Sequence, residues 1–234
     1  VGIWEVAGAF ARMGITLTVT PLYVGAIGMI TCAWWLGSEG TLFALYITVF
    51  VCAAWRLLDR RQESRMSDVV SSTFTAVYVP FLASFVVLML AAWRDPWVFV
   101  VFELMVIAND TGGWAAGVLF GKHPMAPALS PKKSWEGFAG SALTAVGVGC
   151  VGLWLLGAAW WWGIVAGVSI AFVGTMGDLT ESLIKRESGL KDMSQILPGH
   201  GCVLDRVDAL LMSAPVAYFI FAWALPGISW ESSH

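Results

Sequence analysis

Residues 69–93 read VVSSTFTAVYVPFLASFVVLMLAAW, without one Asp, Glu, Lys, Arg or His. A helix rises 1.5 Å per residue, so about 20 apolar residues cross the ~30 Å hydrocarbon core of a bilayer. This stretch is long enough, and six others resemble it, at about 15–36, 41–57, 96–120, 137–156, 160–177 and 209–225. The 234-residue chain is 58% hydrophobic and its mean hydropathy is +0.76, whereas soluble domains sit near 45–50% apolar. The reading is all-α: a polytopic transmembrane helical bundle of about seven spans, with a cleft facing the cytoplasm. The fourth span, 96–120, is expected to be an interrupted helix, because polar groups break its apolar run.

The loops test that reading. If the spans alternate direction, one side of the membrane collects every Lys and Arg of the 13 except Arg94. Such a bias is what the positive-inside rule requires of a correct topology, so the basic side is the cytoplasmic one and the carboxyl tail PGISWESSH falls opposite. The location expected is a bacterial inner membrane. The mixed-sign stretch 56–65, RLLDRRQESR, is expected to be a solvated turn resting on anionic headgroups. The net charge of −3 gives no reason to expect a nucleic-acid partner. Cys32, Cys52 and Cys150 sit inside apolar runs and no CxxC spacing occurs, so these cysteines read as packing residues. The chain starts at Val1 with no charged n-region, and reads as an internal fragment lacking upstream helices. Its organisation is read as N-terminal transmembrane helices over 1–95 and a catalytic transmembrane domain over 96–234, with cytoplasmic loops at 121–136 and 178–208. Glycine is frequent (25 in the chain) and mostly within the spans, which fits close helix packing and leaves a homodimer possible.

Three polar clusters interrupt the apolar chain. In the first, ELMVIANDTGGW (103–114), Asn109 and Asp110 fall about 21 Å into the fourth span. An acid at that depth must be paired, hydrated or cation-bound; an interhelical packing pair is the alternative to a substrate role, and Glu103 is open on the same grounds. The second, GKHPMAPALSPKKSWEG (121–137), holds three prolines that forbid a continuous helix. Its Lys132, Lys133 and Ser134, ahead of Glu136 and the fifth span, could cradle a phosphate at a helix N-terminus or simply stop translocation. The third runs from Asp178 to Asp208. Asp178, Glu181 and Lys185 share one helical face, and Asp205 and Asp208 are spaced i, i+3 at the start of the last span. Acids at two helix ends, flanked by Lys and Arg, suit Mg²⁺ bridging to phosphates; His200 and Cys202, two apart, do not make a zinc site.

The residues of these clusters resemble a family. Ser182, Lys185-Arg186, Lys191-Asp192, Pro198, His200-Gly201, Asp205-Arg206 and Asp208 are similar to the signature S-x-x-K-R-x4-K-D, P-x-H-G, D-R-x-D of phosphatidate cytidylyltransferases, also called CDP-diacylglycerol synthases. N-D-T-G at 109–112 and S-P-K-K-S-W-E-G at 130–137 are similar too, so the resemblance covers about 100–225. The family usually has glycine where Cys202 stands. The resemblance implies that CTP and phosphatidic acid give CDP-diacylglycerol and pyrophosphate. In that reaction the lipid phosphate attacks the α-phosphorus in line, and the protein neutralises charge rather than forming a covalent intermediate. It further implies Asp178 and Asp205 as principal ligands of a two-cation Mg²⁺ site, and Asp110 and Asp208 as further acids. Lys132, Lys133 and Ser134 would meet CTP phosphates; Lys185, Arg186 and Arg206 the lipid phosphate or pyrophosphate; His200 would orient a phosphate. Asn109, Glu136, Ser182, Lys191 and Asp192 complete the expected substrate site.

Two other readings compete. A CDP-alcohol transferase would carry a D-G-x2-A-R type motif, which is absent. A transporter using Glu103 and Asp110 as an ion path leaves 130–137 and 182–208 unexplained.

Overall fold

A computed structural model describes residues 1–59, 66–127, 129–189 and 204–225, without the side chains of Pro131, Lys132, Asp205 and Arg206. Arg60, Arg61, Arg65 and the carboxyl tail therefore lie outside the described residues. The helices follow the apolar runs. They are α1 (Gly2–Arg12), α2 (Val19–Trp35), α3 (Gly37–Leu58), α4 (Met66–Ala76), α5 (Leu82–Trp93), α6 (Pro96–Phe120), α7 (Trp135–Leu155), α8 (Trp162–Glu187) and α9 (Leu204–Ala224). A short hairpin of β1 (Pro124–Ala126) and β2 (Ser130–Ser134) lies between α6 and α7. Among the described residues six helical stretches are long and apolar enough to span a bilayer: 37–58, 66–93, 96–120, 135–155, 162–187 and 207–224. The expected span at 15–36 is α2, apolar but only 17 residues long. The protein is an all-α integral membrane protein.

The irregular helix is not the expected one. The polar groups of 103–114 leave α6 continuous from Pro96 to Phe120, because none of them is proline and hydroxyls of α7 bond the carbonyls beside them. The distortion falls in the third span instead, where α4 and α5 are joined by a π-helical turn, Val77–Phe81, around Pro80. Proline has no N–H and its ring crowds the carbonyl four residues back, and a wider turn relieves both.

The chain divides into two units, one of Val1–Ala91 with Ile184–Val207, the other of Ala92–Leu183 with Asp208–Ser232. In the first, α2 lies so close to α3 that a Cβ on Gly25 would come within 2.3 Å of the Thr48 side chain. Its polar core corrects the expectation for 56–65 at one residue. Arg56 is not a headgroup contact but is 3% exposed, and donates through Nε and Nη2 to Asp68 Oδ2 at 2.9 and 2.6 Å. Asp68 Oδ1 accepts from the Thr16 amide at 3.0 Å, and Ser72 Oγ accepts from that of Thr18 at 3.2 Å. Thus the α1–α2 link, the end of α3 and the start of α4 are tied at one point. A guanidinium that finds the Asp68 carboxylate inside, with Asp59 at 3.6 Å, is better satisfied there than in the mixed environment of headgroups.

In the second unit glycines set the approach of α7 and α8. A Cβ on Gly163 would lie 2.1 Å from the backbone nitrogen of Cys150, and one on Gly167 2.5 Å from Val146 Cα. Backbone cannot step aside as a flexible side chain can. Gly163→Ala is therefore expected to destabilise the protein by about 1–3 kcal/mol or more, as overpacked interiors do. Gly147→Ala, where nothing lies within 4 Å of the new methyl, should be neutral or stabilising. Thermal unfolding of the two purified variants in one detergent checks the contrast.

Candidate active site

The second unit builds a polar cluster from four separated parts of the chain. The first part is α6. Asp95 caps it by accepting from the Trp97 amide at 3.0 Å, with Pro96 as the first helical residue. Three turns on, α7 crosses close by. Ser141 Oγ donates to the Asn109 carbonyl and Thr144 Oγ1 to the Ala108 carbonyl, both at 2.7 Å. Gly112 and Gly113 make the approach possible: a Cβ on them would meet Thr144 Oγ1 at 2.1 Å and Ser141 Oγ at 2.3 Å. The glycines of N-D-T-G-G are thus packing residues, and they fix where Asn109 and Asp110 sit. Asn109 is 4% exposed; its Nδ2 donates to Asp110 Oδ1 at 3.1 Å, and its Oδ1 is buried without a hydrogen-bond partner among the described residues.

The second part is the hairpin, which replaces the helix that prolines forbid. Pro124 pairs with Ser134 and Ala126 with Ser130, antiparallel. Glu136 closes its base: Oε2 accepts from the amides of Lys122 and His123, each at 3.2 Å, and Oε1 lies 2.6 Å from His123 Nδ1. Ser134 Oγ accepts from the Gly137 amide at 3.1 Å and so caps α7. Ser134 and Glu136, expected to meet substrate, therefore also hold the hairpin and the helix start. That arrangement delivers Lys133 to α8.

There the third and fourth parts meet it. The Lys133 ammonium pairs with the Asp178 carboxylate on α8. Asp178 in turn lies near enough to Asp208 on α9 for the two to act on each other electrostatically, and Asp208 also lies in the field of Glu181. Asp110 on α6 feels the charges of both Asp178 and Lys133. Asp208 and Glu181 are buried, at 4% and 5% exposed, while the side chains of Lys133 and Asp178 keep 25% and 38% of their surface open. The Lys133 ammonium thus pairs with one of four acids linked through their charges, with the Lys133–Asp178 pair and Asp110 on the accessible side. Two carboxylates that repel each other favour a shared proton or a cation between them. Among the described residues, no three His, Cys, Asp or Glu side chains close on a single point as a ready metal-ligand set.

Of the residues put forward from sequence, then, Asn109, Asp110, Lys133, Asp178 and Asp208 are brought together. Ser182 is half-buried on α8, four residues after Asp178. Lys185 and Arg186 occupy the last turn of α8, in the other unit. Lys191, Asp192, His200 and Cys202 lie outside the described residues, as do the side chains of Lys132, Asp205 and Arg206. Sequence reasoning missed Ser141, Thr144 and His123. The first two carried a signal, being hydroxyls at i, i+3 in an otherwise apolar span.

The sequence is similar to those of known proteins. The profile of the cytidylyltransferase family matches residues 1–224. The chain is 39% identical over 230 residues to the phosphatidate cytidylyltransferase of Mycobacterium bovis, covering 92% of this chain and 75% of that protein. It is 36% identical over 230 residues to that of Mycobacterium leprae, with 92% and 74% covered. With phosphatidate cytidylyltransferase 4, chloroplastic, of Arabidopsis thaliana it shares 32% over 239 residues, covering 86% of this chain and 59% of the relative.

Proposed function

The chain belongs to the cytidylyltransferase family, and from that premise we infer how its own residues transfer a cytidylyl group. It is a nucleotidyltransferase of phospholipid biosynthesis: the cytidylyl group of CTP passes to phosphatidic acid, giving CDP-diacylglycerol and pyrophosphate. The observation that carries the chemistry is that Lys133 pairs with Asp178, which acts in turn on Asp208, so that three separated parts of the chain meet.

The phosphate of phosphatidic acid is ionised at neutral pH, so no strong general base is required. The obstacle is charge: an anionic nucleophile must approach a polyanionic triphosphate, and pyrophosphate must leave with the bonding electrons. Electrostatic positioning supplies most of such a rate enhancement. Lys133, held by Asp178 at the accessible face, is placed to exchange that carboxylate for a CTP phosphate, with Lys132 beside it in sequence. Mg²⁺ would suit the acidic cluster, because Asp178 and Asp208 act on each other there and carboxylates outnumber the ammonium, and both favour a bound cation. Asp178, with Asp205 from the D-R-x-D motif, would hold it, and it would screen the triphosphate charge. Asp208 lies on the buried side of the cluster and Asp110 at an exposed position on α6, where Asn109 orients it. For Lys185, Arg186, Lys191, Asp192, His200 and Arg206 the phosphate-binding roles rest on motif order alone. We place the site on the cytoplasmic face of a bacterial inner membrane, since CTP is cytosolic and nearly all Lys and Arg fall on one side of the sequence topology.

Purified protein given labelled CTP and phosphatidic acid in mixed micelles should form CDP-diacylglycerol and pyrophosphate in equal amounts. Chelation of divalent metal should stop it, and Mg²⁺ should restore it. Lipid-independent CTP hydrolysis would overturn the transfer reading; full turnover in excess chelator would overturn the cation assignment alone.

A further inference from the structure

Helix α9 begins at Leu204, immediately before Asp205 and Arg206 and one turn before Asp208. The first amides of a helix have no intrahelical acceptor, and one that is buried must find another. Usually a Ser, Thr, Asp or Asn just ahead of the helix supplies it. Here the acceptor comes from the far end of the chain. Glu5 on α1 accepts from the Leu204 amide through Oε2 at 2.9 Å, across 199 residues of sequence. Both residues are 0% exposed. The carboxylate therefore satisfies a buried donor and opposes the positive end of the helix dipole without competing water.

The surroundings keep Glu5 in place. Ile3, Val6, Ala9 and Phe10 bury the rest of α1. Gly2 lets α1 close on its neighbours: a Cβ there would lie 3.1 Å from Val79 Cγ1 and 3.7 Å from Leu204 Cδ1. One residue, Leu204, is thus fixed through both its amide and its side chain by the first turns of the chain.

We propose that Glu5 is a positioning residue for cytidylyl transfer, its buried carboxylate setting the first turn of α9 and so the placement of the D-R-x-D motif. The proposal rests on the reaction assigned above, which supplies the reason why that turn must be exact in position. A displacement of about 1 Å in a catalytic frame can lower turnover on the order of 10²-fold. Glu5 touches no reacting atom; it acts through α9.

The test uses the full chain in micelles and three variants. Glu5→Ala removes the acceptor, Glu5→Asp keeps the charge but withdraws it by one methylene, and Glu5→Gln keeps an oxygen at the same reach. Glu5→Ala and Glu5→Asp should lose at least about tenfold in kcat per folded molecule with KM for CTP within about twofold, and amide exchange over 204–208 should quicken. Glu5→Gln should return to within about threefold of the parent on both readouts. The proposal is overturned if Glu5→Asp or Glu5→Ala keeps parental kcat and exchange while only its melting temperature falls. It is equally overturned if Glu5→Gln is as impaired as Glu5→Asp. Should Glu5→Ala not fold, Glu5→Asp against Glu5→Gln decides. Exchange at 204–208 is read without substrate, so it judges Glu5 even if the parent chain fails to convert CTP, a result that would count against the reaction and not against the cap.

Discussion

Asp178→Asn is expected to lower kcat by about 10²–10³-fold, the usual loss when one preorganised charge is taken from a phosphoryl or acyl transfer site, while stability holds or rises. The two signs follow from one arrangement. Asp178 is the hub of the cluster: it pairs with Lys133 and acts on Asp208 and Asp110. Removing its charge leaves the lysine without its partner and weakens the site's hold on a cation. Yet the same change relieves repulsion among carboxylates that are in part buried. Its own side chain is 38% exposed, so no buried group is orphaned. A residue kept for structure alone would show the reverse: turnover per folded molecule near the parent, with a lower melting temperature. Product formation and tryptophan-monitored unfolding of the same preparation separate the two, and near-parental turnover would remove Asp178 from the reaction.

The largest loss of stability is expected at Asp68. Asp68→Ala should destabilise by about 3–5 kcal/mol, because it removes the buried carboxylate that takes both the Nε and Nη2 bonds of Arg56 and leaves only the longer, partly exposed pair with Asp59 at 3.6 Å among those described. It also removes the acceptor of the Thr16 amide. For a chain of this size the melting temperature should fall on the order of 10 °C. The paired change Arg56→Met with Asp68→Leu should restore most of that loss, since apolar side chains of similar volume often replace a buried ion pair without penalty. Its failure to recover would mean that the pair contributes orientation beyond charge balance. Turnover measured on the double variant at low temperature should stay near the parent's, because Arg56 and Asp68 belong to the first unit and hold no part of the acidic cluster.

Much of the site was legible because it is written in local spacing. Asp178 ends one apolar run, Asp208 begins another, and Lys133 precedes a third; a polar residue at the edge of a span must lie near the interface whatever the span packs against. Glu103 stayed ambiguous for the same reason, since a lone acid within a span has no local feature that tells packing from chemistry. The sequence places Ser134 and Glu136 at the start of the fifth span and marks them as substrate contacts. Their backbone partners, the amides of Gly137, Lys122 and His123, became apparent only once the chain had turned back as a hairpin.

The sequence by itself determined the solvent, the helices and the ends at which charge collects. Hydropathy is additive along a run, and about 20 apolar residues leave one economical solution in lipid. Tertiary structure decided which residues face each other. Nothing local tells that Arg56 turns inward to Asp68, that Gly163 lies against the backbone of Cys150, or that Glu5 holds an amide 199 residues away. Lys133 and Asp178, 45 residues apart, meet only because the hairpin and α7 fix one and α8 carries the other. Such pairings depend on the direction of each helix face and the distance between axes, and close-packed side chains set both jointly.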